Sequence, residues 1–208
     1  MFGLKPEQQK FTFLGDVRDI NDMELDRKIT AIHFHHTAGY PWDTAEDIDR
    51  EHKKRTYTDS NGHTRYWSGI GYHFPVLKNG IIQVGRNINK TPASVTGHNT
   101  GAVAMVMTGN FSVKPMPHRL DPQARAAGLL AAFLILKFDV PFLFHRDLAS
   151  TECPGKNMEH DVVLKYVDHV MDNMSEWGRW YADHVIAFNS LYPGYKFTSD
   201  PSLKPIWV

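Results

Sequence analysis

The chain has 208 residues, 42% of them hydrophobic, with 23 basic and 23 acidic side chains and a formal net charge of zero. That length supports one domain with a sizeable core, and the cancelled charge excludes broad attraction to nucleic acid or an anionic membrane. One cysteine, Cys153, excludes an internal disulfide and leaves either a quiet core thiol or a reactive or ligating one.

The N-terminus turns polar within a few residues and carries no apolar stretch of signal-peptide type. The longest purely apolar run, residues 129–136, falls far short of the ~20 residues that span a bilayer. The expectation is a monomer made in the cytosol without stable membrane insertion. Residues 1–27 read as a loosely structured, charged lead-in, with Asp16, Arg18, Asp19 and Asp22.

Residues 29–36 read as a strand, with Ile32 and Phe34 on one face and His33 and His35 on the other. Thr44 and Asp47 have capping-box spacing, which predicts a helix carrying Ile48, His52 and Arg55 on one face. Asp59-Ser60-Asn61-Gly62 signals a turn, and residues 56–67 are expected to form a flap over a binding groove, with Tyr66 and Trp67 near its occupant. Residues 72–77 and 81–84, joined through Lys78-Asn79-Gly80, predict a hairpin. The apolar run 102–107 predicts a buried central strand.

Asp121-Pro122 is a helix start, with Asp as N-cap and Pro at the first position. The helix it opens, apolar almost throughout residues 124–138, is expected to be the longest and to pack deep against a sheet. Residues 142–144 form a short strand that delivers His145, and residues 157–174 a further helix with Val163, Tyr166, Val167, Val170 and Met174 inward. From Glu176 the composition changes: three of the five tryptophans (Trp177, Trp180, Trp207) fall in the remaining stretch. This tail is expected to pack back on the domain rather than to form a separate sugar-binding element.

Chemistry concentrates in His145-Arg146-Asp147 through Cys153-Pro154-Gly155. Imidazole and thiolate are common zinc ligands, and three protein ligands with one open position make a catalytic rather than structural site. The histidine-rich strand offers the third ligand from His33 or His35, which share a face. His36 points the other way if the strand stays regular.

In order along the chain stand Ile32-His33-Phe34-His35-His36-Thr37-Ala38-Gly39, His52, Gly69-Ile70-Gly71-Tyr72-His73-Phe74, Gly80, Gly85-Arg86, His98-Asn99, Gly109-Asn110-Phe111, then the His145 to Gly155 segment. As an ordered set these resemble the type-2 N-acetylmuramoyl-L-alanine amidases, a family that includes phage lysozyme-amidases and peptidoglycan recognition proteins. The resemblance covers about residues 28–175. It implies an α/β fold, a single domain with a central mixed β-sheet flanked by helices. Residues 1–27 then form an N-terminal extension, 28–175 the catalytic domain, and 176–208 an aromatic-rich C-terminal extension.

It further implies zinc (Zn2+) held by His35, His145 and Cys153, with His33 lining the pocket. Tyr72 and Thr151 become catalytic groups, and His36, Thr37 and Asn99 line the substrate groove. The implied reaction is hydrolysis of the amide between N-acetylmuramic acid and L-alanine in peptidoglycan. It would act on the cell wall after release from the cytosol, in the manner of an endolysin, or on cytosolic muropeptides. The alternative is a non-catalytic module that binds peptidoglycan; a zinc amidohydrolase of another amide is a third reading. His52 is expected to pack or cap, Arg86 to make a structural ion pair, and Glu152 to point outward between Thr151 and Cys153. The chain departs from the family pattern at Ala93-Ser94-Val95, where a histidine often stands, and in the length of residues 56–67.

Overall fold

The computed structural model describes residues 13–14, 20, 23–191 and 197–198. Its main sheet has four parallel strands in the order β5-β6-β2-β7. These are β2 (Ala31–His36), β5 (Phe74–Val76), β6 (Ala102–Met107) and β7 (Phe142–Phe144). β6 and β2 are interior and almost wholly buried, as expected for strands covered on both faces. An antiparallel return runs past β5: Val76 bridges Ile82, and the amides of Leu77, Gln83 and Gly85 donate to the carbonyls of Ile81, Pro75 and His73. This is the hairpin read from the Asn79-Gly80 pair, and it makes the sheet mixed. Gly80 sits at φ +83°, and a Cβ there would meet the Pro122 carbonyl at 2.7 Å, so the turn requires glycine.

Helix α1 (Ala45–His52) starts with a complete capping box: the Thr44 hydroxyl accepts from the Asp47 amide and the Asp47 carboxylate accepts from the Thr44 amide. It buries Ala45, Ile48, Asp49 and His52. Arg55 lies beyond its end and is exposed. Residues 56–67 contain an exposed antiparallel hairpin, β3 (Thr56–Thr58) and β4 (Thr64–Tyr66). Its turn is organised by Asp59, whose carboxylate accepts from the amides of Asn61 and His63 and from the Arg65 side chain.

Helix α2 (Pro122–Phe138) is capped by Asp121 and carries proline in its first turn. Its seventeen residues do not make it the longest helix; α5 (Met174–Leu191) has eighteen. The aromatic composition of α5 obscured its helical character in the sequence. After β7 come a single turn, α3 (His145–Leu148), and α4 (His160–Asp172), which buries Val163, Val167 and Val170. α4 begins three residues later than the sequence suggests, because the Asn157 and Met158 amides bond to the Phe111 and Gly155 carbonyls.

One face of the sheet is aliphatic and aromatic. Ile32, Phe34, Met105, Phe142 and Phe144 join Ala126, Leu129, Leu130 and Leu134 of α2 in the core, to which α5 adds Trp177, Tyr181 and Val185. Arg125 of α2 lies over the rings of Trp177 and Trp180, at 4.6 and 4.4 Å. Two-residue strands β1 (Phe13–Leu14) and β8 (Phe197–Thr198) pair in parallel, and Leu14 and Ile20 are fully buried. Other tail residues, Trp207 among them, lie outside the described residues. The opposite face carries His33 and His35, and the chemistry gathers there, at the carboxyl ends of the strands.

Candidate metal centre

Register puts the ligand candidates together. Phe34 of β2 pairs with Phe144 of β7, so His35 and His145 follow side by side at the strand ends. Their rings are 4.9 Å apart. Cys153 enters from the loop after α3, its sulfur 3.5 Å from His35 Nδ1. One nitrogen each of His35 and His145 and the sulfur of Cys153 lie within 4.8 Å of one another, the one such group of histidine, cysteine and acidic side chains among the described residues. His33 is buried on the same face, 6.4 Å from His35 between ring centroids, and does not join them.

This donor set fits zinc. Zinc–nitrogen and zinc–sulfur bonds of ~2.0 and ~2.3 Å at a tetrahedral angle place the two donors about 3.5 Å apart, which is the separation of His35 Nδ1 from Cys153 Sγ. Complete burial holds His35 well below its ordinary pKa, and burial lowers that of His145, so both imidazoles are neutral and offer a lone pair. Burial pushes the Cys153 thiol up to about 11. A thiolate there therefore needs a cation beside it, and a bound metal would supply one.

The loop carrying Cys153 is tied down at several points. The Cys153 carbonyl accepts from the Arg146 amide at 3.0 Å, and the Cys153 amide donates to the Thr151 hydroxyl at 3.2 Å. Gly155 adopts φ +112° against Phe111, whose carbonyl carbon a Cβ would meet at 2.4 Å. The Phe111 amide in turn donates to His36 Nδ1, and the two rings stack. His36 thus points away from the ligand cluster and anchors the segment after β6. Thr37 accepts from the Gly109 and Gly39 amides. Thr151 and Glu152 are both exposed.

Tyr72 stands over the site, its ring 5.2 Å from His35 and 5.3 Å from His52. Burial, and then the neighbouring Cys153, hold its phenol above its ordinary pKa, so it stays protonated. Two side chains of α1 fix the backbone just before it: Asp49 accepts from the Ile70 amide and His52 Nδ1 from the Gly71 amide. His52 therefore packs and caps, as its sequence suggests. Asn99 uses its carboxamide oxygen to accept from the Ser94 and Val95 amides. Arg86 binds the carbonyls of Thr91 and Ile70 rather than a carboxylate, which corrects the expected ion pair; backbone partners leave no trace in residue spacing. Beside it a cleft of about 350 Å³ is lined by Tyr57, Tyr66, Trp67, Ser68, Gly69 and Ala93. The sequence gives Arg146 no distinct part, for the same reason as Arg86: its guanidinium donates to backbone carbonyls, those of Gly155 and Met158.

A sheet of four parallel strands with an antiparallel return beside β5 has known counterparts. The chain belongs to the N-acetylmuramoyl-L-alanine amidase family, whose profile matches residues 25–156, more than half of its length. It is similar to the endolysin of Klebsiella phage KP32, with 25% identity over 96 residues, 45% of this chain and 64% of that protein. It is 34% identical over 96 residues to peptidoglycan-recognition protein LB of Drosophila melanogaster, covering 44% of this chain and 40% of that one. The chain thus spans less than two thirds of each of these two relatives. Among solved structures it is similar to the endolysine N-acetylmuramoyl-L-alanine amidase LysCS from Clostridium intestinale URNW, at 30% identity and TM-score 0.56, covering 68% of this chain and 85% of that one. The Ph2119 endolysin from a Thermus scotoductus bacteriophage gives 26% identity and TM-score 0.57, covering 67% and 85%.

Proposed function

We propose that this protein is a zinc-dependent amidase that hydrolyses the bond between N-acetylmuramic acid and L-alanine in peptidoglycan. The observation that carries the reading is the convergence of His35, His145 and Cys153 beside a protonated Tyr72. A zinc ion bound there supplies Lewis acidity, polarising the amide carbonyl and acidifying water. Tyr72 donates a hydrogen bond to the oxygen on which negative charge develops. Thr151, whose hydroxyl oxygen accepts from the Cys153 amide, is exposed, and its own O–H is the donor it would offer to substrate. His36 and Thr37 shape the groove through the loop they anchor, and Asn99 holds the 94–95 turn beside it through its carboxamide oxygen.

The catalytic unit is assigned to residues 28–175. No helix among the described residues is long and apolar enough to cross a membrane. Endolysin relatives support action on the cell wall after release from the cytosol. Purified peptidoglycan incubated with the zinc-loaded protein is expected to release intact stem peptides with a free L-alanine amino group, read by mass analysis. Cys153→Ser is expected to lose both zinc and this product. Wall binding without cleavage by the zinc-loaded wild type would instead support a recognition module, and cleavage of a different amide would support another amidohydrolase.

A further inference from the structure

Two of the three donor residues, His145 and Cys153, stand at the ends of one loop, and a single side chain spans that loop from within. Arg146 follows His145 directly. Its amide donates to the Cys153 carbonyl at 3.0 Å. Its guanidinium donates through Nη1 to the Gly155 carbonyl at 2.8 Å and through Nη2 to the Met158 carbonyl. The same group lies 4.9 Å from the centre of the Phe144 ring, on the strand that delivers His145. A planar fork of fixed geometry thereby joins β7, the cysteine segment and the start of α4. No carboxylate shares it in these contacts, so its hydrogen-bonding capacity goes to shaping backbone.

From these contacts we infer that Arg146 is a positioning residue for the metal centre: it sets the spacing between His145 and Cys153 before a metal arrives. This rests on reading the cluster as a zinc site. A ligand pair held by a rigid brace loses less conformational freedom on binding the ion, so the brace acts on metal affinity. Lysine keeps the charge but replaces the rigid planar fork with a compact ammonium on a flexible stem, so it holds the two carbonyls in a less fixed geometry. Methionine keeps the stem and loses both bonds.

The test uses the full-length protein as wild type, Arg146→Met, Arg146→Lys and Val167→Ala. Val167 is a core residue of α4 outside the site. Two quantities are measured: the zinc dissociation constant, by competition with a chromophoric chelator, and the melting temperature of the metal-free protein. Arg146→Met is expected to weaken zinc by about 10- to 100-fold, the range seen when groups that orient ligands are removed. Arg146→Lys is expected to fall between it and wild type. Val167→Ala is expected to lower the melting temperature while zinc affinity stays near wild type. In the cobalt-substituted protein, Arg146→Met is expected to weaken the thiolate-to-metal absorption band. Wild-type zinc affinity in both Arg146 variants would overturn the inference, as would an equal loss in Val167→Ala at a matched drop in melting temperature. Should Arg146→Met fail to fold, the comparison of Arg146→Lys with Val167→Ala decides. A wild-type protein that binds no zinc overturns the zinc reading itself, and that outcome is distinct because it appears before any variant is compared.

Discussion

Burial pushes the Tyr72 phenol and the Cys153 thiol in the same direction, yet the proposed chemistry asks opposite things of them. The tyrosine must keep its proton to donate a hydrogen bond, and burial helps it. The cysteine must lose its proton to bind metal, and burial opposes that until a cation is present. Tyr72→Phe is therefore expected to lower kcat by about 10²- to 10³-fold with zinc content unchanged; parallel loss of zinc would show that the ring matters for assembly instead. A different consequence of burial appears at His73, which is fully buried between two backbone groups. Its Nδ1 accepts from the Ala104 amide and its Nε2 donates to the Lys90 carbonyl. Burial depresses its pKa to about 3. The neutral form that the fold requires is intact above the ordinary value of 6.5. As pH falls below that, the unfolded chain takes up a proton that the folded chain refuses, and stability drops by ~2 kcal/mol at pH 5. Urea unfolding of wild type at pH 7.5 and 5.0 should reveal the loss, and His73→Asn, which retains an acceptor for the Ala104 amide, should shrink it. An unchanged difference in His73→Asn would assign the acid sensitivity to other groups.

The elements that were legible in the sequence are those whose ends carry their own hydrogen-bonding chemistry. Thr44 with Asp47, Asp121 with Pro122, and Asn79 with Gly80 each satisfy or shape backbone locally, so residue type and spacing suffice. Thr44→Ala is accordingly expected to cost ~1 kcal/mol in urea unfolding; no loss would mean that tertiary contacts alone hold α1. The β3–β4 hairpin was legible only at its turn, because its three-residue strands are exposed on both faces and show no alternation. The ligand cluster was half legible. The sequence pattern placed His33 and His35 on one face, but the choice between them depends on the register of β2 with β7 and the path of a loop 118 residues away, which no local pattern encodes. The resemblance to a family supplies that choice, and the geometry brings His35 to the sulfur.

At the scale of the whole molecule, α5 ties the chain's beginning to its middle. The Tyr181 hydroxyl accepts from the Ile82 amide and donates to the Leu14 carbonyl, both at 3.1 Å, in a fully buried setting. Tyr181→Phe would leave two buried backbone groups without that partner, at a cost of about 1–3 kcal/mol. The expected result is a lower melting temperature with zinc affinity unchanged, since this contact lies apart from the ligand cluster; a shift in affinity would reveal long-range coupling to the site. Gly155 wedged against Phe111 has a consequence for how the protein can diversify. The ligand loop is exposed at Ser150, Thr151, Glu152 and Lys156, so saturation libraries should recover many residues at Ser150 and Lys156. At Gly155 any side chain collides with backbone that is itself pinned by His36. Drift along this loop is thus confined to its outward positions, and a lineage can retune what the rim presents to its surroundings without moving the sulfur.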